Sequence, residues 1–483
     1  MKGLTSIFSF ICLSALALRP GIRTSISQNA LINIKNSIVP NVITEIQANK
    51  IPDFDVKFGL LKINITDIQF LEFNLTAENV GVKLVIDDTI SYINLELINL
   101  SFNATSKIAF RTPFLVKGTI SSSLENTNLT IPIKIGTNKG KVSLEILAAR
   151  GNLDSFKMRI KTDSQIISFF QLFNHFLPIN MLTNAYKRKL VTHIGESFNP
   201  QIQKILNSIV YVEEIPNLPL SIDYHIEALQ VVQNQYIEGL INGTFFLTKK
   251  PKLVPNVTLP EIPPAWVSSQ DFKIQISEYF FDTFLWGLQD SGILNINITN
   301  DIIPKEIPIT LSTTGLSEIL PNLPKVYGND KPINMNCIVS SPPQFTISEV
   351  GTLLSNSYCD FVVTTAENAF KTAFRLNMQA MTQFTGYVVN NSTGVYLFGS
   401  ILPNSTEFTV FTATNSTIGP INLQDVQDAL NYFADAIANY IDQKIENQGI
   451  VLPIPPTSQV ENATMVMNEN FIEIGFTKRF SNY

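Results

Sequence analysis

Apolar residues recur along this chain with two periods, a helical one and a period of two, and the same mixture appears in both halves. Leu31, Ile34, Ile38, Val42 and Ile46 follow one another at three- and four-residue steps, which gathers them into one stripe of a helix. Pro40 lies within that stripe and predicts a kink or local break, because it lacks an N–H and its ring crowds the preceding turn. The period then drops to two. Ile93, Leu95 and Leu97 alternate with Asn94 and Glu96, and Leu100 and Phe102 with Ser101 and Asn103. Val142, Leu144 and Ile146 alternate with Ser143 and Glu145 after a hairpin signal, Gly-Thr-Asn-Lys-Gly, at 136–140. These segments read as strands with one buried face, as in an antiparallel sheet.

Helical spacing returns with Ile166, Phe169, Phe170 and Phe173, a bulky stripe ending near Pro178. A further run carries Leu182, Leu190, Ile194 and Phe198, then Ile202, Ile205 and Ile209 beyond Pro200. A proline-rich join at 251–264 separates this half from the next. Beyond it Phe280, Phe281, Phe284 and Leu285 read as helix, while Leu294, Ile296 and Ile298 alternate with Asn295 and Asn297. Leu423, Val426, Leu430, Phe433, Ile437, Ile441 and Ile445 form the most regular helical stripe, and Ile472, Ile474 and Phe476 a closing strand. Long amphipathic helices with antiparallel strands in each half imply an α+β architecture with large apolar interiors.

At 483 residues the chain has room for more than one domain. Lys2, an apolar run over 4–18 and the small residues Ala15 and Ala17 read as a secretory signal cut after Ala17. The run is shorter than the ~20 residues a spanning helix needs. Secretion changes the meaning of the cysteines: Cys12 leaves with the signal, and Cys337 and Cys359 remain as an even pair that forms one disulfide in an oxidising compartment. Two thiols are too few for a tetrahedral zinc site, and His175, His193 and His225 show no ligand spacing, so no metal or other cofactor is expected. Thirteen Asn-x-Ser/Thr sequons, at Asn64, Asn74, Asn99, Asn103, Asn128, Asn242, Asn256, Asn297, Asn390, Asn391, Asn404, Asn415 and Asn462, fit an extracellular glycoprotein.

Charge is divided unevenly. Between residues 20 and 240 there are 20 basic and 19 acidic residues, and from 255 to 483 there are 9 and 21. No basic face for nucleic acid emerges. Lys187, Arg188 and Lys189, and Lys249, Lys250 and Lys252, read as solvated helix and linker. The chain carries no Gly-x-Ser-x-Gly elbow, His-Glu-x-x-His, phosphate loop or dinucleotide glycine pattern, which argues against an enzyme.

Several short segments, in order, resemble the secreted lipid-binding family that includes bactericidal permeability-increasing protein, lipopolysaccharide-binding protein, phospholipid transfer protein and cholesteryl ester transfer protein. Pro20, Gly21 and Ile22, then Ile26, Ser27, Gln28 and Leu31, are similar to the family's opening before its first helix. Ile51, Pro52 and Asp53 match the step after that helix. Residues 276–283 (Ile-Ser-Glu-Tyr-Phe-Phe-Asp-Thr), Gly292 and 301–306 (Asp-Ile-Ile-Pro-Lys-Glu) resemble the entry to its second domain. Ile418, Gly419 and Pro420, then Leu452, Pro453, Ile454 and Pro455, resemble its closing region.

The resemblance implies an elongated boomerang of two similar domains, each a twisted antiparallel sheet or barrel wrapped on long helices, with a central sheet between them. The boundaries expected are 1–17 for the signal, 18–248 for the first domain, 249–266 for the linker and 267–483 for the second domain. It further implies an apolar pocket in each domain that takes the acyl chains of a phospholipid or related lipid. The helical stripes supply the candidate lining: Ile34, Ile38, Phe169, Phe170 and Phe173 in the first domain, and Phe281, Leu285, Phe433, Ile437 and Ile441 in the second. Two departures stand out. The family's first-domain disulfide is missing, with Ala149 and Val191 near the matching positions, and Cys337 and Cys359 would instead staple a strand pair in the second domain. The near-neutral first half lacks the strong basic charge of the endotoxin-binding members. A lipopolysaccharide-binding alternative therefore rests on Lys134, Lys139 and Lys141 around the expected hairpin, placed at the tip of the first domain.

Overall fold

The structure, a computed structural model, describes residues 20–479 apart from 60, 88–89, 112–114, 163–178, 252, 254, 256, 258–261, 265–269, 302, 304–309, 366–368, 392–393, 435–437, 440–448 and 453–458. The first half begins with β1 (Ile22–Ser27), α1 (Gln28–Ala48), β2 (Phe54–Phe58), β3 (Leu61–Asn74), β4 (Val80–Asp87), β5 (Ile90–Arg111) and β6 (Leu115–Asn138). It continues through β7 (Lys141–Ile146), β8 (Arg150–Gly151), β9 (Lys157–Thr162), α2 (Ile179–Glu196) and α3 (Asn199–Asn207). Strands β10 (Val212–Glu214), β11 (Leu220–Asp223), β12 (Ile226–Val232), β13 (Tyr236–Ile241) and β14 (Thr244–Leu247) follow. The second half opens with β15 (Phe272–Ser277), α4 (Glu278–Asp290), β16 (Ile296–Ile298), α5 (Leu323–Tyr327), β17 (Ile333–Val339), β18 (Gln344–Ile347), β19 (Gly351–Thr364) and β20 (Phe370–Asn391). It closes with β21 (Gly394–Ile401), β22 (Glu407–Thr414), α6 (Leu423–Tyr432), β23 (Ile450–Val451), β24 (Gln459–Asn468) and β25 (Phe471–Arg479).

A six-stranded central sheet, in the order β12-β13-β1-β15-β25-β24, draws three strands from each half. At its middle β1 and β15 run antiparallel, with Ile22 opposite Ile276 and Ile26 opposite Phe272. Each of these strands passes directly into a helix, β1 into α1 and β15 into α4, so the junction has an approximate twofold character. An eight-stranded sheet flanks it in each half. The first is β2-β3-β5-β6-β7 with β4, β8 and β9 added, and the second is β16-β17-β19-β20-β21-β23 with β18 and β22 added. All recorded pairings between these strands are antiparallel, as the alternation predicted. Bulges interrupt the long pairings, and an extra residue bends and twists a strand, which is how strands of 22 and 24 residues curl over a core. One apolar core joins α1, α2 and α3 to the first sheet. A second lies along the central sheet and α4, and a third lies between the second sheet, α5 and α6.

The structure alters several sequence expectations. Helix α1 runs unbroken through Pro40. The proline is exposed, and so is Asn36, whose carbonyl the proline leaves without an i+4 donor. The 136–140 signal yields a tighter turn than expected. Strand β6 runs to Asn138, which pairs with Lys141, and only Lys139 and Gly140 turn the chain, both with positive φ (51° and 75°). Two such residues are what a two-residue primed hairpin turn requires. The alternation at 294–298 yields only the three-residue edge strand β16, with Ile296 exposed. The final stripe is interrupted too: α6 ends at Tyr432 and Phe433 caps it with its N–H on the carbonyls of Asn431 and Leu430. Ala434 and Ala438 are buried beyond that step, while Phe433 is half-buried, so the packed face shifts by one residue.

Cys337 and Cys359 occupy directly opposed positions of β17 and β19 and are joined by a disulfide. The bond closes a separation of 22 residues, worth about 3 kcal/mol through restriction of the unfolded chain.

Candidate functional site

In each half a helix leaves the central sheet and lies against apolar side chains of its neighbours. Ser27 starts α1: its Oγ accepts the N–H of Ala30 at 3.0 Å, satisfying one otherwise unpaired donor. The side of α1 turned to the core is Lys35, Val39, Val42 and Ile46, spaced by four, three and four. Ile34 and Ile38 fall on the shoulder of that face and are half-buried, with Ile38 packed against the first core. The stripe read from sequence is therefore rotated, and Lys35 takes its centre. The Lys35 ammonium donates to the carbonyl of Ala77 at 2.6 Å, while burial holds its pKa below the usual lysine range against the opposing pull of Glu78.

Helix α2 supplies Leu182, Tyr186, Leu190, Val191 and Ile194 to the same core. Tyr186 is fully buried and its ring lies 6.3 Å from Phe54 and 6.4 Å from Phe156. His193 stacks beside Phe70 at 6.4 Å, and burial lowers its pKa, so it stays neutral in this apolar setting. Phe169, Phe170 and Phe173 lie outside the described residues.

In the second half α4 carries a run of aromatic contacts that sequence reading captured only in part. Phe245 of β14 lies 4.9 Å from Phe280 and 5.0 Å from Phe284. Phe280 contacts Phe281 at 5.3 Å, Phe281 contacts Phe345 of β18 at 4.7 Å, and Phe345 lies 6.2 Å from Phe384 of β20. Phe280 is buried, whereas Phe281 and Leu285 are half-buried. Phe433 stands elsewhere, beside Tyr432 at 4.9 Å at the end of α6, and Ile437 and Ile441 lie outside the described residues. Phe281 and Leu285 thus share one helix, while Phe433 belongs to the helix packed on β22. Phe245 and Phe345 were missed because each sits in a short strand whose role depends on distant partners.

Helices α4 and α6 hold edge strands by the same device, with polar side chains four residues apart taking alternate backbone amides. Glu278 Oε1 accepts the N–H of Ile347 at 2.6 Å and Asp282 Oδ1 that of Phe345 at 2.9 Å. Gln427 Oε1 accepts the N–H of Val410 at 2.9 Å and Asn431 Oδ1 that of Phe408 at 2.7 Å. Burial pushes the Asp282 carboxyl up to about 6, against the opposing Phe345 N–H, and burial likewise raises Glu278.

Lys134, Lys139 and Lys141 are exposed around the β6–β7 hairpin, and a second basic surface lies elsewhere on the first sheet. The hairpin with Lys139 and Lys141 docks on the central sheet: Ile226 N–H donates to Gly140 O at 2.7 Å, and Lys141 Nζ lies 5.4 Å from the Tyr211 ring centre. At the opposite end of β6 the outer face is basic. Lys157, Arg159 and Lys161 alternate with Met158 and Ile160 on β9 and are exposed, and Lys161 and Arg159 pair with Thr119 and Ser121 of β6. Exposed Lys117 and Arg111 continue this face toward the turn between β5 and β6. Some cations there are neutralised, Lys62 by Asp55 at 2.9 Å and Lys107 by Asp67 at 2.7 Å. A neutral total for the first half thus conceals a local basic surface.

Known proteins resemble this chain along nearly all of its length. Rat bactericidal permeability-increasing protein is 21% identical over 468 residues, covering 94% of this chain and 92% of its own. Mouse lipopolysaccharide-binding protein is 22% identical over 466 residues, 94% and 93% of the two chains. Mouse phospholipid transfer protein is 22% identical over 363 residues, 73% and 69%. The crystal structure of lipopolysaccharide binding protein superposes with a TM-score of 0.52 at 19% identity, over 96% of this chain and all of the other, which establishes the elongated two-part α+β boomerang fold. The family model described as the C-terminal domain of the LBP / BPI / CETP family matches residues 216–477, more than half of the chain, and the protein belongs to that family.

Proposed function

We propose that this protein is a secreted, non-enzymatic carrier of phospholipids or related amphipathic lipids, with an apolar slot for acyl chains in each half. The carrying observation is the repeated strand-to-helix unit. Ile34 and Ile38 on α1, and Phe281 and Leu285 on α4, remain half-buried beside fully buried cores. Each methylene moved from water into such a slot contributes about 0.8 kcal/mol, so the chains supply the affinity while the headgroup stays near water. Relatives named for phospholipid transfer support this reading. The working units are 18–248 and 267–483, joined by 249–266 after removal of 1–17, and the bound lipid is the only ligand invoked. Among the described residues no helix is long and apolar enough to cross a membrane.

Native mass spectrometry of protein recovered from the medium of a eukaryotic host, with lipidomics of the organic extract, tests the proposal. About two phospholipids per molecule are expected. Protein that is lipid-free and takes up none from vesicles would sink it. Phe433→Asp and Phe281→Asp report on the second slot and Ile38→Asp on the first; a folded variant that keeps its full lipid load removes that residue from the lining.

A second reading, recognition of bacterial lipopolysaccharide, is favoured by the basic outer face around Lys117, Arg159 and Lys161 and by relatives named for it. Clustered cations suit phosphate groups. Tight binding that weakens with salt is expected, and indifference to lipopolysaccharide at low salt would eliminate it.

A further inference from the structure

A line of bulges crosses the outer surface of the first sheet. Leu71 is the extra residue where β3 pairs with β5, and Ile98 and Asn99 interrupt the pairing of β5 with β6. Asn99 and Asn126 adopt the left-handed backbone there (φ 56° and 50°). The bends turn apolar side chains outward: Leu71 is 63% exposed and Ile98 39%. Both side chains add apolar surface beside exposed Glu72, Asn103, Asn99 and Asn128.

Four sequons surround this line. In Asn74-Leu75-Thr76, Asn99-Leu100-Ser101, Asn103-Ala104-Thr105 and Asn128-Leu129-Thr130, the middle residue is buried and the asparagine exposed. The period of two explains the pattern, because a core-facing middle residue sends its neighbours to the water side. They are close together: Asn128 Oδ1 accepts the backbone N–H of Asn99 at 3.0 Å, Asn103 Nδ2 donates to Glu72 Oε2 at 2.5 Å, and Asn74 pairs with Ser101. Replacing one Nδ2 hydrogen by a sugar leaves the Asn128 oxygen to accept from Asn99 and leaves Asn103 one N–H.

Two other sequons differ. The Asn64 amide oxygen is buried. Asn242 Oδ1 accepts the N–H of Thr244 at 3.1 Å, and Thr244, the hydroxyl residue of that sequon, is buried with its Oγ1 2.7 Å from the Tyr279 hydroxyl. A glycan at either position would have to be forced from a packed surface.

We propose that Asn74, Asn99, Asn103 and Asn128 carry N-linked oligosaccharides that cap the exposed bulges, and that secreted molecules carry none at Asn64 or Asn242. In the transfer, the asparagine Nδ2 forms a bond to C1 of an oligosaccharide donated by a lipid-linked pyrophosphate. The C1–O bond to the pyrophosphate breaks, the lipid pyrophosphate leaves, and Nδ2 loses one proton. The proposal rests on the secreted reading, since the transferase works in the secretory lumen.

The test is peptide mass spectrometry of secreted protein after enzymatic deglycosylation in heavy-oxygen water, which marks each formerly occupied asparagine. Heavy-oxygen aspartate at all four positions, and at neither Asn64 nor Asn242, is expected. An unmarked asparagine among the four, or a mark at Asn64 or Asn242, overturns the proposal. Protein in the medium that is bare here overturns only the cap, whereas protein kept in the cytosol overturns secretion as well. A variant with all four asparagines changed to Gln should show more self-association by size-exclusion chromatography, and adding Leu71→Ser and Ile98→Ser should reverse it. An unchanged elution profile would show that the sugars cap nothing.

Discussion

Ser27 and Ser277 occupy equivalent points of the two central strands, each donating its backbone N–H to the carbonyl just ahead of the other's strand. The bonds are Ser27 to Asp271 at 2.9 Å and Ser277 to Gly21 at 3.0 Å. Each serine also leads a helix, so one exchange of hydrogen bonds sets both the seam between the halves and the launch of α1 and α4. The two are not interchangeable. Ser27 Oγ caps α1, whereas Ser277 Oγ donates to Gly21 O at 2.9 Å. Ser27→Ala should therefore cost about 1 kcal/mol through the lost cap. Gly21→Ala should cost more, because an added Cβ would meet the Asn242 carbonyl oxygen at 2.3 Å and push β1 off its neighbour. Thermal unfolding of both variants checks the order, and an equal effect would refute the tightness of the seam.

Replacing both Cys337 and Cys359 by Ser should lower stability by about 3 kcal/mol, the value for freeing a 22-residue separation in the unfolded chain. Urea unfolding of the wild type with and without a reductant should show a shift of the same sign and size. The double variant should not respond to reductant. A reductant-sensitive variant would mean that another thiol is involved.

These cases show how much of the molecule was legible in its sequence. The alternation at Ile93, Leu95 and Leu97 predicted β5 because a half-buried strand repeats every two residues whatever its partners. The extent of β5 and β6 was not legible, since strands of 22 and 24 residues persist only through bulges set by register with neighbours. On α1 the stripe was right in kind and rotated in detail. A lysine can occupy the buried side when its stem packs and its ammonium reaches a carbonyl, as Lys35 does at Ala77. The aromatic run from Phe284 to Phe384 was only partly visible, because Phe245 and Phe345 come from strands far from α4 in sequence. The basic face was hidden by counting charge over a whole half, where acidic residues elsewhere cancel it.

The raised Asp282 carboxyl predicts how stability varies with pH. Its folded value of about 6 lies above the ordinary 3.8, through burial. Between these values the native state holds a proton that the unfolded chain has released, so stability falls as pH rises from 4 to 6 and levels off above 7. Glu278 shifts in the same direction and adds to the same slope. Allowing for partial exposure, Asp282 contributes about 1–2 kcal/mol to this change. Asp282→Asn retains an oxygen for the Phe345 N–H and removes the buried charge. It should raise the melting temperature at pH 7.5 and flatten the profile between pH 4 and 6. A variant whose stability relative to the wild type is the same at pH 4.5 and pH 7.5 would show that ionisation of Asp282 costs the fold nothing and that its carboxyl is not raised.

The basic outer face and the Lys139 hairpin make opposite predictions for lipopolysaccharide, and the contrast tests the surface rather than net charge. Lys117, Arg159 and Lys161 lie exposed on neighbouring strands at the outer end of the first sheet. Lys139 lies in a hairpin whose neighbour Gly140 is bonded to the central sheet. A cation close to an anionic lipid surface contributes about 1 kcal/mol, and the attraction fades over a Debye length of about 10 Å at 0.1 M salt. Reversing Lys117, Arg159 and Lys161 together to Glu should weaken binding to lipopolysaccharide dispersions at least a hundredfold at low salt. Lys134→Glu with Lys139→Glu, a control that also moves the net charge downward, should change it less than tenfold. Both variants should retain their phospholipid load, because neither touches α1 or α4. Equal losses would mean that total charge, not this face, governs the interaction. A greater loss from the hairpin pair would return recognition to the end of β6 where the sequence first suggested it.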